Sequence, residues 1–107
     1  MHKLLFGNPV FEPTLSTCRS GEKWYDALSV GECFEICNIA NEFLGKIGKV
    51  VSVDLVTWED SEMDSEHIHD NHDVSCRTPT GLRAGMDEAY PNGWDVTALT
   101  IIRFVLV

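Results

Sequence analysis

The sequence predicts an α+β architecture, mainly β: a small mixed β-barrel of five or six strands with one or two helices against it. Three observations lead there. Short segments rich in β-formers recur along the chain, divided by Gly, Pro, Asn and Ser. The one strongly helical segment falls just before the last of them. With only 107 residues, a sheet must curl on itself to hide its edges.

The first strand is residues 3–6, closed by Gly7, Asn8 and Pro9. Residues 14–19 are rich in β-formers and make the second. Ser20, Gly21 and Glu22 form a turn, and residues 23–28 lead to another at Val30 and Gly31. Residues 32–38 alternate as a third strand. The longest strand, 50–58, opens from Lys46, Ile47, Gly48 and Lys49, and its apolar residues on both faces suit a central or curling strand. Residues 59–73 then form a polar excursion with room for a short helix. Acids and three histidines crowd there, and no Lys or Arg lies between Lys49 and Arg77.

Thr78 offers a helix N-cap and Pro79 a first helical residue. Leu82, Met86, Ala89 and Tyr90 fall on one helical face, and Pro91, Asn92 and Gly93 stop the helix. Gly85 inside it costs about 1 kcal/mol relative to Ala. Arg83 and Asp87 have the spacing of an exposed ion pair. Trp94 is expected to cover a barrel end. Residues 97–107 form the last strand, with Arg103 its only charge. No repeat or linker interrupts the pattern, so residues 1–107 read as one domain.

Composition narrows the function classes. The chain carries 17 acidic and 8 basic residues, a net charge of −9. Proteins that grip nucleic acid by neutralising phosphates present a basic face. Any such role here must therefore reside in a small local pocket. No apolar run approaches the ~18 residues of a membrane span, and the first residues lack the apolar core of a signal peptide. A cytoplasmic chain with no membrane partner is expected. Cys33 and Cys37 lie about 13 Å apart on one strand, at ~3.3 Å per residue, beyond the ~7 Å that a disulfide tolerates. With no C-x-x-C present, Cys18, Cys33, Cys37 and Cys76 are expected to be free thiols.

Two constellations invite chemistry. His67, His69 and His72 stand among carboxylates that include Glu66, Asp70 and Asp73, a donor set that suits a borderline cation. The segment is similar to the H-x-H-x-D-H signature of metallo-β-lactamase-like hydrolases. It departs from that signature because Asp70 directly follows His69. The expectation is a solvated acidic loop, with no metal or cofactor and histidines titrating near pH 6.5. The second constellation is Thr17 and Arg19, which share one face of their strand. Facing a cleft, they supply a hydroxyl beside a planar cationic fork. Lys23 could return toward the same mouth, and Trp24 offers a flat surface on which a base can stack. The alternative is that Arg19 and Lys23 pair with Glu22, Asp26 or Glu32 on the surface.

In order along the chain, four segments resemble the ASCH domain of the PUA-like barrel superfamily. They are Thr17-Cys18-Arg19; Val30-Gly31-Glu32-Cys33-Phe34; Gly48-Lys49-Val50-Val51-Ser52-Val53; and Tyr90-Pro91 followed by a strand from Val96 to Phe104. The resemblance implies a PUA-like barrel with nucleotide or single-stranded RNA binding in a cleft, here through Thr17, Arg19, Lys23 and Trp24. It also implies a rival activity, amidohydrolysis of N4-acetylated cytidine-type nucleosides, with Thr17 as nucleophile. That family's Lys position holds Thr14 here, and its Glu falls near Ser75, with Asp73 the nearest carboxylate. Lys23 or Asp73 would then have to serve as the base. A third possibility is that the acidic 59–73 loop docks a basic protein partner.

Overall fold

The computed structural model describes residues 1–59, 63 and 65–107. Its strands are β1 (His2–Leu5), β2 (Thr14–Ser20), β3 (Cys33–Cys37), β4 (Phe43–Val56) and β5 (Leu99–Leu106). They form one sheet in the order β1-β3-β4-β5-β2, in which only the β1–β3 pair is parallel. Leu4, Leu15, Phe34, Val50 and Phe104, one from each strand, meet in a single apolar cluster inside the curl. The curl is tight enough for Arg19, on one edge strand, to hydrogen-bond the Leu5 carbonyl on the opposite edge strand (2.8 Å). The expected barrel is thus a half-barrel of five strands.

β4 starts at Phe43, well before the residue 50 expected from the sequence. Its pairing with β5 shifts register between Val50 and Ser52. Such a bulge bends a long strand and increases its local twist, which lets β4 follow the curl. Asn38 shapes the turn that feeds it, its Oδ1 accepting from the backbone N–H groups of Ala40 (3.0 Å) and Glu42 (2.9 Å).

The helices are α1 (Lys23–Ala27), α2 (Ser65–Ile68) and α3 (Pro79–Ala89), with a 3-10 turn at Val74–Cys76. That is one helix more than expected, because residues 23–28 coil into α1 instead of running directly to the next turn. α2 and α3 cover the outer face of the sheet, where Ile68, Leu82 and Met86 pack with Cys18, Leu99 and Ile101. Ala89 lies on the exposed side of α3 and not in that cluster. Trp94 covers no barrel end: it packs beside Trp58 on the same outer face (ring centroids 5.3 Å apart). Nor do Arg83 and Asp87 pair. The Arg83 guanidinium lies over the rings of Trp58 and Trp94, and Asp87 accepts from Trp94 Nε1 (2.9 Å).

α3 begins as its sequence requires. Thr78 is extended, Pro79 follows, and Thr78 Oγ1 accepts from the Gly81 N–H (3.1 Å). Thr78→Ala is expected to cost about 1 kcal/mol, with Thr78→Ser near neutral. Chemical denaturation of the two variants checks this, and equal losses from both would remove the cap from the account.

The segment after α2 is the link between fold and site. Asp70 and His72 hydrogen-bond the outer edge of β2: Ser16 N–H donates to the Asp70 carbonyl (2.8 Å), and His72 N–H donates to the Ser16 carbonyl (2.9 Å). Val10 N–H donates to the His72 carbonyl (2.8 Å). The open edge of β2 is thereby covered, and residues 71–73 are pinned against Thr17 and Arg19.

Candidate functional site

A cavity of about 790 Å³ opens at this junction, bordered by Arg19 and Thr17 of β2, the loop after β1, residues 71–73 and the C-terminal half of α3. Its size falls within the ~300–1,000 Å³ range of small-molecule sites. Arg19 is its organising residue. Nε donates to Thr17 Oγ1 (3.0 Å) and one terminal nitrogen, Nη2, donates to the Leu5 carbonyl. The guanidinium lies over the Phe6 ring, 4.8 Å from its centroid. These contacts fix the fork yet leave Nη1 without a described partner.

Among the described residues no carboxylate lies within 4.0 Å of Arg19, whereas Arg77 and Arg103 are ion-paired with Glu12 and with Asp54 and Asp70. Loss of hydration lowers the Arg19 pKa, partly opposed by Tyr90 and Cys18. The group remains a cation regardless, since arginine titrates above ~12. An uncompensated, half-buried cation in a chain of net charge −9 creates a local attraction for an anion.

Thr17 is buried, at 1% exposure. Its oxygen accepts from Arg19, which leaves its own O–H to donate. His72 stands edge-on to Phe6 (centroids 4.7 Å apart). Burial pushes its pKa down to about 4, with Arg19 adding to the effect and the Ser16 hydrogen bond and Asp73 opposing it. At neutral pH the ring is uncharged. Nδ1 lies 3.1 Å from the Ser16 carbonyl, and only a donor can face a carbonyl, so the proton sits on Nδ1 and Nε2 is an acceptor. This corrects the sequence expectation of a histidine titrating near pH 6.5. Tyr90, capping α3, accepts from Ser20 N–H (3.2 Å) and keeps its hydroxyl proton to donate.

The other expected residues divide. Asp73 lines the cavity, but its Oδ1 accepts from Ser75 N–H (3.0 Å) and Ser75 Oγ (2.7 Å), holding the 3-10 turn. Lys23 and Trp24 do not line the cavity. They border an adjoining hollow, because α1 carries them round the far side of Arg19. Lys23 Nζ sits 4.8 Å from the Trp24 ring centroid, and among the described residues it has no carboxylate within 4.0 Å. Thr14 is exposed at the opposite end of β2, paired with Val105.

The three histidines of the acidic segment part company. His67 lies on α2 with a buried, unpartnered Nδ1, His69 is exposed, and His72 joins the cavity. Among the described residues, no three His, Cys, Asp or Glu side chains converge as a metal site. All four cysteines are free thiols, and burial pushes Cys18 up to about 12 and raises Cys76 too, so neither supplies a thiolate near neutral pH. Residues 60–62 and 64 of the acidic segment lie outside the described residues. No described helix is long and apolar enough to cross a membrane.

Sequence reasoning missed Phe6, Asn71, His72 and Tyr90 as site residues. His72 had a signal, its place in the histidine cluster, but that signal pointed to metal. No family model, no curated protein and no solved structure matches this chain. The ASCH resemblance therefore rests on the four segments of the sequence.

Proposed function

We propose that the cavity binds one nucleotide unit, with its phosphate on Arg19 and its base beside Phe6, His72 and Tyr90. A single observation carries the reading: Arg19 is held by Thr17, Leu5 and Phe6, is unopposed by any described carboxylate, and borders a cavity of nucleotide size. Arginine's planar fork suits bidentate phosphate recognition. The acceptor on neutral His72 and the donor on Tyr90 suit the edge of a base. The half-barrel, its outer helices and the four matching segments are consistent with a PUA-like fold of ASCH type, which we propose for this chain.

Binding is favoured over the rival amide hydrolysis on physical grounds. A Thr hydroxyl needs a base to remove its proton. Thr14 stands outside the cavity, Lys23 lies round the far side of Arg19, and Asp73 is engaged by Ser75. His72, with a pKa of about 4, is a weak base at neutral pH, where a useful one titrates near the operating pH. Docking through the acidic segment is less favoured too, since Arg103 already holds its Asp70 carboxylate and Glu66 carbonyl.

Calorimetric titration with nucleoside 5′-monophosphates and the parent nucleosides tests the proposal. The phosphorylated ligand should bind at least tenfold tighter, about 1.4 kcal/mol, in the range of a charge-assisted hydrogen bond. Arg19→Gln should erase that difference. Equal affinities in the wild type, or a difference that survives Arg19→Gln, would overturn it.

A further inference from the structure

The sheet has two edges, and the fold treats them differently. The outer edge of β2 is covered, because Ser16 bonds both Asp70 and His72. The edge of β1 is not. The direction of its bonds can be read at its end. Phe6 N–H donates to the Cys37 carbonyl beside β1 (2.9 Å), whereas the Leu5 carbonyl turns the other way, to Arg19 (2.8 Å). Backbone groups alternate sides along a strand, so Leu4 turns to β3 with Phe6, and Lys3 turns away with Leu5. The N–H and carbonyl of Lys3 and the N–H of Leu5 have no partner among the described residues. On that side lies a hollow of about 430 Å³ lined by Lys3, Leu5, Arg19, Lys23, Trp24 and Asn41.

We propose that β1 takes an extended, acidic segment of a protein partner as an added strand, its backbone on Lys3 and Leu5 and its carboxylates on Lys3 and Lys23. An unpaired edge is a template for another strand, and charge decides which strand. Lys3 and Lys23 are exposed, and among the described residues neither has a carboxylate within 4.0 Å, although the chain holds 17 acids. Unpaired cations on an acidic protein focus a local positive field. The same lysines reject a basic strand, since like charges side by side on a sheet repel. The free groups run donor, acceptor, donor along the edge, the order a peptide backbone complements. Phosphate oxygens only accept, and would leave the Lys3 carbonyl unpaired. Because Arg19 already holds the Leu5 carbonyl, the added strand stops there. The cavity beyond stays free for its own ligand, so the proposal stands apart from the nucleotide reading.

Fluorescence anisotropy with labelled, end-capped hexapeptides tests this. The first alternates Glu and Thr; others replace Glu by Gln or by Lys, and two more carry N-methyl groups on alternate residues, one in each frame. The Glu peptide should bind about fivefold tighter than the Gln peptide, and the Lys peptide should not bind. One N-methylated frame should abolish binding and the other should not, since an added strand pairs through every second N–H. At saturation, hydrogen exchange of the Lys3 and Leu5 N–H groups should slow by about tenfold or more. The Lys3→Gln/Lys23→Gln double variant should bind the Glu peptide no better than the Gln peptide. Equal binding of the Glu and Gln peptides, two N-methylated frames that behave alike, or unchanged exchange at Lys3 and Leu5 overturns the proposal. So does displacement of the peptide by a tetranucleotide, which would assign the hollow to nucleic acid, or a dimer of the free protein in sedimentation, which would assign the edge to a second copy. No binding by any peptide overturns it and leaves the nucleotide reading of the cavity intact.

Discussion

Gly81→Ala is expected to destabilise the protein by about 3 kcal/mol or more, lowering the melting temperature on the order of 12 °C or beyond. Helix propensity alone gives the opposite sign, since Ala is better than Gly inside a helix by about 1 kcal/mol. Packing decides. A Cβ on Gly81 would lie 1.8 Å from the Ser75 carbonyl oxygen and 3.1 Å from Thr78 Oγ1. The first obstacle is backbone, so no rotamer change relieves it; the 3-10 turn must leave the helix. Gly85, one helical turn on, faces the same turn, but its Cβ would meet a side chain, Cys76 Sγ, at 2.7 Å. Gly85→Ala should therefore be milder, and Cys76→Ala should offset much of its cost. The same second change should do nothing for Gly81→Ala. Thermal melts of these four variants check the pattern, and a stabilised Gly81→Ala would show that α3 does not rest on the turn as described.

Those two glycines mark a limit of reading the chain without coordinates. From the sequence Gly85 is a flaw in a helix; in the fold, Gly81 and Gly85 let the 3-10 turn approach α3 closely, and that turn carries Asp73 at its cap. Local chemistry was legible where local rules apply. Thr78 and Pro79 start α3 as their types dictate, and Leu82 and Met86 bury its apolar face. β2 and β5 show their β-formers openly. The first half of β4 was hidden because Gly45 and Gly48 look like turn residues. Gly48 is in fact paired opposite Phe34, whose ring occupies the space a Cβ would need.

The site was legible to the extent that it lies within one strand. Thr17 and Arg19 share a face by the two-residue period of β structure, and their side chains do meet. Lys23 sits only four residues on, yet the coil of α1 sends it to the neighbouring hollow. One wall of the cavity is contributed by residues more than 50 positions away, brought to β2 by backbone bonds from the 70–72 segment. No sequence period announces such a bond. Ser16 is an unremarkable residue, and it is bonded because its strand would otherwise be an open edge.

The neutral state of His72 should appear as acid sensitivity of the whole fold. In the unfolded chain a histidine titrates near ~6.5, while burial holds His72 down at about 4. Between those values the unfolded chain is protonated and the folded one is not, so each step of acidification pulls the equilibrium toward unfolding. Stability from this residue is complete above pH ~6.5 and is lost as pH falls through about 4, in total about 3 kcal/mol. Most carboxylates titrate below ~4.3, so the upper part of that window belongs to histidine. His72→Asn is the informative variant: its amide can still donate to the Ser16 carbonyl but does not titrate. Urea unfolding at intervals from pH 7.5 to 4.5 should give a falling line for the wild type and a much flatter one for His72→Asn. Parallel lines would mean that His72 titrates in the folded protein as it does in the unfolded chain, and so becomes charged there below pH ~6.5. Its Nε2 would then be a donor, and the cavity would offer a second cation beside Arg19 in place of the acceptor assigned to the base.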